Sequence, residues 1–138
     1  MNELHPPRVF VYGTLKRGEE RERCWPHPPS EILPATLLGE LRDLGLYPAL
    51  IHGADRVAGE VWQLSPEHVE DTLRVLDAIE GYREGSAENL YQRQVVQCTT
   101  ADGRKLAAFT YYYADEAAAR RACRVTPNAS GVCNWTAK

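Results

Sequence analysis

Hydrophobic positions along the chain fall into short runs that are bounded by glycine, proline or polar residues. Runs of this length that are rich in β-branched and aromatic residues, or that alternate apolar with polar positions, are typical of strands. An Asp102-Gly103 pair between the last two runs predicts a tight hairpin turn. The pattern predicts five strands: Arg8–Gly13, Ile32–Leu41, Val57–Leu64, Leu90–Thr99 and Arg104–Ala114.

Segment Ser65–Glu80 has the period of a helix. Its apolar residues Val69, Leu73 and Leu76 recur at the spacing i, i+4 and i+7, which gives the helix one stripe to bury against a core. A serine at the N-cap followed by proline favours the start of the helix, and Gly81 favours its end.

The remaining segments predict shorter elements. Glu19–Cys24 predicts a short exposed helix, and the alanine-rich Asp115–Cys123 predicts a second one. Gly45–Leu50 predicts an ordered turn or a short extended piece, and the tail Pro127–Lys138 is expected to be irregular. The order β-β-β-α-β-β-α does not alternate strand with helix, which argues against a doubly wound parallel sheet. We therefore expect one α+β domain over 1–138, in which a twisted or closed mixed sheet packs against one helix.

Composition and charge narrow the class of protein. Hydrophobic residues make up 43% of the chain and charged residues 25%, the balance of a globular domain rather than a disordered one. The 16 basic and 19 acidic residues give a net charge of −3, and the basic residues are scattered. Because nucleic acids and anionic membranes bind clustered positive charge, we expect neither as a partner. A small anionic substrate needs only one local pocket.

The apolar runs are too short for a transmembrane helix. The N-terminal residues lack a basic stretch followed by an apolar one, so we expect no signal peptide and a cytoplasmic location. No C-x-x-C pair occurs among the cysteines, and the histidines lack a metal-ligand spacing, so we expect buried free thiols and no metal site. The cysteines are Cys24, Cys98, Cys123 and Cys133.

Glu80 is the residue that packing alone explains least. At about 100° per residue it lies about 20° from Val69 on the helix, within the apolar stripe. It also lies in the last helical turn, where the helix dipole disfavours negative charge. Burial and dipole both raise a carboxyl pKa, and a raised pKa suits a general acid–base group near neutral pH. Alternatively, the helix ends there and Glu80 turns to solvent or pairs with Arg83 or Arg93.

Two further patterns are candidates for substrate binding. A strand that ends in glycine and continues with a hydroxyl residue, as in Tyr12-Gly13-Thr14-Leu15, can turn successive backbone N–H groups toward one point. Such a nest binds carboxylates or oxyanions, although an ordinary strand-ending turn gives the same pattern. In the predicted strand Tyr111-Tyr112-Tyr113, the first and third tyrosines share a face. Tyr113 is our candidate for a hydroxyl that orients a polar substrate, with core packing as the alternative.

These residues belong to a series of motifs that resembles one family. Val9–Gly18, which reads VFVYGTLKRG, is similar to the opening of the γ-glutamylcyclotransferase-like family, which includes γ-glutamylamine cyclotransferases and AIG2-like proteins. The resemblance continues along nearly the whole chain and is more specific for the fold than for the reaction. The later motifs are Gly45–Leu50, Val57–Val61, Leu76–Tyr82, Tyr91-x-Arg93 and Tyr111–Tyr113.

The resemblance implies a small mixed β-barrel with flanking helices and an enzyme of the transferase or lyase type that needs no metal or cofactor. In that family the α-amine of a small γ-glutamyl substrate attacks its own γ-carbonyl and releases 5-oxoproline and an amine. Carried over, Glu80 would move the protons, and Tyr12, Gly13, Thr14 and Leu15 would hold the glutamyl end through backbone amides. Ring closure needs a neutral amine, so a base with a raised pKa is the group that this reaction requires.

Two segments depart from the family pattern. Cys24–Pro29 and Ala87–Leu90 match no motif of the family, and such loops would form the pocket for the leaving amine. The leaving amine therefore stays open, as does the oligomeric state. A non-catalytic module that binds a small molecule in the same pocket is the alternative. Glu80→Gln separates the two, because an acid–base enzyme loses turnover whereas a binding module tolerates the change.

Overall fold

The structure, a computed structural model, describes residues 5–136 of the chain. The first four residues, part of the segment for which we expect no signal peptide, lie outside it, as do the last two of the predicted tail. Two 3₁₀ turns, Glu22–Cys24 and Pro66–His68, precede the second strand and the first helix respectively. The elements in chain order are β1 (Arg8–Val11), β2 (Glu31–Asp43), β3 (Pro48–Gln63), α1 (Val69–Glu80), β4 (Tyr91–Thr100), β5 (Lys105–Tyr113), α2 (Glu116–Arg120), β6 (Cys123–Arg124) and β7 (Val132–Cys133).

Strand pairing closes the sheet into a five-stranded barrel. The strands follow one another in the order β2-β4-β5-β1-β3, and β3 returns to pair along the whole of β2. β1 runs parallel to β5, whereas the other barrel pairs are antiparallel. The two-residue strands β6 and β7 pair with β2 and β3. The α+β class and the mixed barrel predicted from the sequence are confirmed.

The long hairpin of β2 and β3 differs from the sequence prediction. The sequence predicts an extended piece and a separate strand here, but β3 runs unbroken from Pro48 to Gln63. Residues 52–54 are taken up as an irregularity where the register shifts after Gly39. Such a bulge lets a long strand bend around a barrel, so an interruption of the apolar pattern does not end the strand.

Helix α1 ends where the sequence predicts but begins later. Pro66–His68 forms a 3₁₀ turn, and the Ser65 side chain makes no capping hydrogen bond within the described residues. The α-helix therefore starts at Val69. Gly81 ends it in the left-handed conformation with a φ of 66°, as predicted.

The shorter predicted helices shrink in the structure. The alanine-rich segment is helical only over Glu116–Arg120, where the Asp115 carboxylate accepts a hydrogen bond from the Ala118 N–H. Cys123, its predicted last residue, pairs with β2 instead. The exposed helix predicted before the proline-rich loop is a single 3₁₀ turn, and the tail predicted as irregular contributes β7.

Alternation along β1 divides the core into two parts. Phe10 belongs to the cluster inside the barrel, whereas Val9 and Val11 belong to the cluster that packs beneath α1 with Leu73 and Leu76. All five side chains are buried. One short strand thus links the barrel interior to the helix that ends at Glu80.

The four cysteines are free thiols. Cys98 and Cys133 are buried in the barrel core, as expected. Cys24 is half-buried and Cys123 is exposed, so the expectation of buried thiols is wrong for these two. Cys123 is exposed because it starts a two-residue strand at the edge of the sheet.

Candidate active site

A cavity of about 110 Å³ opens where β1 runs into the loop that follows it. The end of α1 forms one wall, and residues at the starts of β3 and β4 form others. The lining residues that the sequence analysis singled out are Tyr12, Gly13, Thr14, Leu15 and Glu80. The structure adds Arg21, Tyr47, Tyr91 and Tyr111 to this set. The nest and the candidate acid–base group therefore meet in one place.

Glu80 is the last residue of α1, and the backbone around Gly81 fixes where its side chain starts. The Tyr82 N–H donates to the Asp77 carbonyl at 2.9 Å across the left-handed glycine, a bond that is typical of a helix end. The Gly81 carbonyl accepts a hydrogen bond from the Leu90 N–H at 3.0 Å. The end of the helix is therefore tied to the start of β4.

Asp77, one turn before Glu80, fastens the same helix end to the barrel. The Tyr111 hydroxyl donates to Asp77 Oδ1 at 2.7 Å, and the Arg93 guanidinium donates to Oδ2. The Arg93 guanidinium also stacks at 5.2 Å on the rings of Tyr82 and Phe109. β4 and β5 thus hold the last turn of α1, and the Glu80 side chain faces the cavity.

The Glu80 carboxylate is half-buried and forms no hydrogen bond or ion pair with any of residues 5–136. It therefore pairs with neither Arg83 nor Arg93, the partners that the sequence left open. Burial raises the pKa of Glu80 to about 7, and the positive charge of Arg21 opposes this rise. The raised pKa expected from the sequence is present, and desolvation is its main cause. A carboxyl with this pKa exchanges protons at neutral pH.

Three residues of the loop after β1 line the cavity and have backbone N–H groups without an acceptor among the described residues. Within residues 5–136, the backbone N–H groups of Gly13, Thr14 and Leu15 donate to no acceptor. Gly13 and Leu15 are buried, and buried N–H groups need a partner, so these amides are suited to an anionic ligand. The carbonyls of the same three residues accept hydrogen bonds at 2.7 to 3.1 Å, from the N–H groups of Lys16 and Arg21 and from the Trp25 indole.

Gly13 is required here by packing. A Cβ at this position would lie 2.8 Å from ring atoms of Pro48, closer than side chains tolerate. The sequence pattern predicted this glycine as part of a nest that binds carboxylates or oxyanions. In the structure the space beside its α-carbon is filled by Pro48, and the free N–H groups carry the binding potential.

Two side chains, Lys16 and Trp25, hold this loop in place. The buried Lys16 ammonium donates to the Trp135 carbonyl at 2.6 Å and to Asn134 Oδ1 at 3.2 Å. The Trp25 ring stacks on Trp62 of β3 at 4.1 Å. The loop is thus fastened to the C-terminal segment and to the barrel wall.

Tyrosine side chains form the walls, and the hydroxyls of Tyr12, Tyr91 and Tyr111 are hydrogen-bonded to the protein. The Tyr12 hydroxyl donates to the Tyr111 carbonyl at 2.6 Å, and the Tyr91 hydroxyl donates to the Pro48 carbonyl at 2.8 Å. Burial raises the pKa of both tyrosines, so they stay neutral donors. Tyr113, predicted to contact substrate, packs edge-on against Tyr91 at 5.2 Å, behind the lining residues.

The sequence pattern gave no role to Arg21, Asp77 or Tyr91. Arg21 lies in a run of alternating charges that predicts only a solvated surface. Asp77 carries a signal in hindsight, since it lies one helical turn from Glu80 and near the same face. Tyr91 belongs to a motif of the resemblance, but its hydroxyl bond to Pro48 joins residues far apart in the sequence.

The part of the chain that the structure describes contains no cluster of three or more His, Cys, Asp or Glu side chains suited to hold a metal ion. In the same part, no helix is long and apolar enough to cross a membrane.

Comparison with known sequences gives the family. A family model described as γ-glutamyl cyclotransferase, AIG2-like, matches residues 9–132. The γ-L-glutamyl-butirosin B γ-glutamyl cyclotransferase of Niallia circulans is 35% identical to this chain over 109 residues. The match covers 78% of this chain and 67% of that protein.

Solved structures agree with the sequence comparison. An AIG2-like protein from Mus musculus superposes with a TM-score of 0.59 and 25% identity, over 80% of this chain and 78% of that one. YkqA from Bacillus subtilis has the same fold, with a TM-score of 0.57 and 22% identity, over 78% of this chain and 36% of that one. The motifs, the barrel and the family match lead to one conclusion: this chain belongs to the γ-glutamyl cyclotransferase, AIG2-like family of enzymes.

Proposed function

We propose that this protein converts a small γ-glutamyl amine or peptide into 5-oxoproline and a free amine. One observation carries the proposal. An unpartnered carboxylate with a pKa near neutrality shares a small cavity with three unused backbone N–H groups. Membership of the family supports the reaction, and the relative from Niallia circulans is named for a γ-L-glutamyl compound.

In the proposed reaction Glu80 acts first as a base. Its carboxylate takes a proton from the substrate's α-ammonium, and the neutral amine attacks the γ-carbonyl carbon of the same molecule. The new C–N bond closes a five-membered ring, and the carbonyl oxygen takes up negative charge. As the bond to the leaving nitrogen breaks, Glu80 returns its proton to that nitrogen. The ring nitrogen gives up its extra proton to the freed carboxylate or to solvent.

The amides of Gly13, Thr14 and Leu15 stabilise negative charge in this scheme, on the substrate's α-carboxylate or on the developing oxyanion. Amine and carbonyl already belong to one molecule, so the remaining task is to hold the glutamyl chain folded for attack. A cavity of about 110 Å³ with tyrosine walls fixed by hydrogen bonds is suited to that task.

The pKa of Glu80 sets the expected pH dependence of the reaction. Only the ionised carboxylate accepts the proton, so kcat/KM falls as the pH drops below about 7. Glu80→Gln lacks this carboxylate, so we expect it to lose both the turnover and this dependence of kcat/KM on pH.

The test measures 5-oxoproline by mass spectrometry after incubation with a panel of γ-glutamyl peptides and amines. Wild type forms the product, Glu80→Gln does not, and Glu84→Gln, which changes an exposed glutamate just beyond α1, matches wild type. No product from any member of the panel with folded wild type would contradict the proposal. Binding of a panel member without turnover, unchanged in Glu80→Gln, would favour the non-catalytic binding module.

A further inference from the structure

Arg21 brings a positive charge to the cavity, where it acts on Glu80 at a distance but is not held in an ion pair by any described residue. Among residues 5–136, no carboxylate forms an ion pair with the Arg21 guanidinium, and no acceptor takes a hydrogen bond from it. The Arg21 side chain is half-buried, whereas Gly13 and Leu15 are buried. Thr14 is half-buried as well, so Arg21 is more accessible to solvent than two of the three residues that carry the free amides.

The backbone holds Arg21 in this position. Its N–H donates to the Thr14 carbonyl at 2.7 Å, and its carbonyl accepts a hydrogen bond from the Cys24 N–H at 3.0 Å. Glu22, on the same 3₁₀ turn, turns its carboxylate away to accept a hydrogen bond from the Gly18 N–H at 2.9 Å. The position of the charge thus follows from the loop that also carries the free amides.

Each charged group of the cavity can be matched with a charged group of a γ-glutamyl substrate. Arg21 and Glu80 are the two charged side chains among the described residues that line it. A γ-glutamyl amino acid has one ammonium and two carboxylates, of which one belongs to the glutamyl part and one to the released amino acid. Glu80 serves the ammonium, and we take the first of the two roles proposed for the amides of Gly13, Thr14 and Leu15, which is to bind the glutamyl α-carboxylate. The Arg21 guanidinium is then available for the carboxylate of the released amino acid.

We propose that Arg21 selects leaving amines that carry a carboxylate, by forming a charge-assisted, hydrogen-bonded pair with that carboxylate. This inference rests on the proposed cyclotransferase function. A polyamine or an aminoglycoside-like leaving group would place positive charge beside Arg21. Within the described lining it would meet no carboxylate except Glu80, which the reaction itself uses.

We assign the guanidinium to the leaving group rather than to the glutamyl part because the Arg21 side chain is partly exposed. The glutamyl part has to reach Glu80 and the buried amides, so the released part extends toward the mouth. Of the lining residues, Arg21 is half-buried and Leu90 is 43% exposed, so both are accessible to a group that extends toward solvent. Leu90 and the half-buried Tyr47 add apolar surface to the same region, which makes leucine a suitable leaving amino acid for a probe.

The test compares γ-glutamylleucine with γ-glutamylleucine amide, which differ only in the leaving-group carboxylate. We expect Arg21→Gln to lower kcat/KM for the acid by about 10- to 100-fold, mainly through KM, and to change the amide by no more than about 2-fold. Arg21→Lys restores part of the loss, because it keeps the charge but not the planar pair of donors. Arg17→Gln, on the same loop and exposed, leaves both substrates unchanged. Thermal unfolding of each variant verifies the fold.

Equal losses on the acid and the amide would overturn the proposal and assign Arg21 to the glutamyl end. Faster turnover of γ-glutamylputrescine than of γ-glutamylleucine by wild type would overturn it too, while leaving the proposed function intact. Failure of the function itself gives a different result, since folded wild type would then release no 5-oxoproline from any of the three substrates or from the wider panel.

Discussion

The last turn of α1 carries two carboxylates in opposite surroundings. Asp77 faces β4 and β5, where Tyr111 and Arg93 donate to both of its oxygens. Glu80, three residues later, faces the cavity, has no partner among residues 5–136, and has a pKa raised to about 7. The partnered carboxylate fixes the helix end, and the unpartnered one keeps an exchangeable proton. The presence or absence of hydrogen-bond partners therefore distinguishes a carboxylate that stabilises the site, Asp77, from one that is free to react, Glu80.

Glu80→Gln gives the largest expected change on the reactive side of this comparison. We expect kcat to fall by about 10²- to 10⁴-fold, the usual contribution of a positioned acid–base group, while the free energy of unfolding does not decrease. Gln keeps the shape of the side chain and removes a charge that burial disfavours. Rates of 5-oxoproline release and urea unfolding curves measure the two effects. A loss of stability that matches the loss of activity would show that Glu80 is structural.

Asp77→Asn tests the structural role of Asp77 at the end of α1. It leaves the Arg93 guanidinium, in an ion pair whose side chains are each 20% exposed, without its counter-charge. We expect the free energy of unfolding to fall by about 2 to 4 kcal/mol, with a smaller loss of kcat because Glu80 is less well positioned.

The control for this variant is Glu70→Gln, which alters an exposed carboxylate on the same helix and should change stability by no more than about 0.5 kcal/mol. If Asp77→Asn unfolds like wild type but loses turnover as fully as Glu80→Gln, Asp77 belongs to the reaction, and the proposed division between the two carboxylates fails.

The position of Glu80 could be predicted from the sequence, whereas the structural role of Asp77 could not. The end of α1 at Gly81 and the position of Glu80 on the apolar stripe follow from local spacing, and both lie in motifs of the resemblance. The pairing of Asp77 with Arg93 joins residues 16 positions apart and depends on how α1 lies against β4. The place of Arg21 beside the cavity depends on loop contacts such as the bond from its N–H to the Thr14 carbonyl, which local spacing does not predict.

The same distinction explains the errors in the predicted elements. Local pattern identified the barrel strands, but it broke β3 into two pieces because residues 52–54 interrupt the apolar run. Pairing with β2 keeps that strand continuous. It also draws Cys123 out of the helix predicted for it. In each case a long-range hydrogen-bond ladder outweighs local propensity.

The pH dependence of stability sharpens the comparison further. The folded-state pKa of Glu80 is about 7 against an ordinary value of 4.5, so folding favours the protonated carboxyl. This contribution is fully present below about pH 4.5 and is lost as the pH rises through about 7, an effect of about 3 kcal/mol at most. Glu80→Gln has no such group, so its stability relative to wild type should increase from pH 5 to pH 8. Parallel urea-unfolding profiles of the two proteins over that range would contradict an unpartnered, buried Glu80.

The smallest expected effects come from two tyrosines, Tyr91 and Tyr113. Among residues 5–136 the hydroxyl of the first has a hydrogen-bond partner and that of the second has none. Tyr91→Phe removes the donor to the Pro48 carbonyl, next to Gly13, and should cost about 1 kcal/mol of stability with a few-fold rise in KM. Among residues 5–136 the Tyr113 hydroxyl has no hydrogen-bond partner, so Tyr113→Phe should change stability by no more than about 0.5 kcal/mol and kcat/KM by less than about 2-fold. Steady-state kinetics on the substrate that gives the fastest turnover compares them. If Tyr113→Phe raises KM more than Tyr91→Phe does, the Tyr113 hydroxyl contacts the substrate, as predicted from the sequence. Tyr113 would then belong to the residues that line the cavity rather than to those that pack behind them.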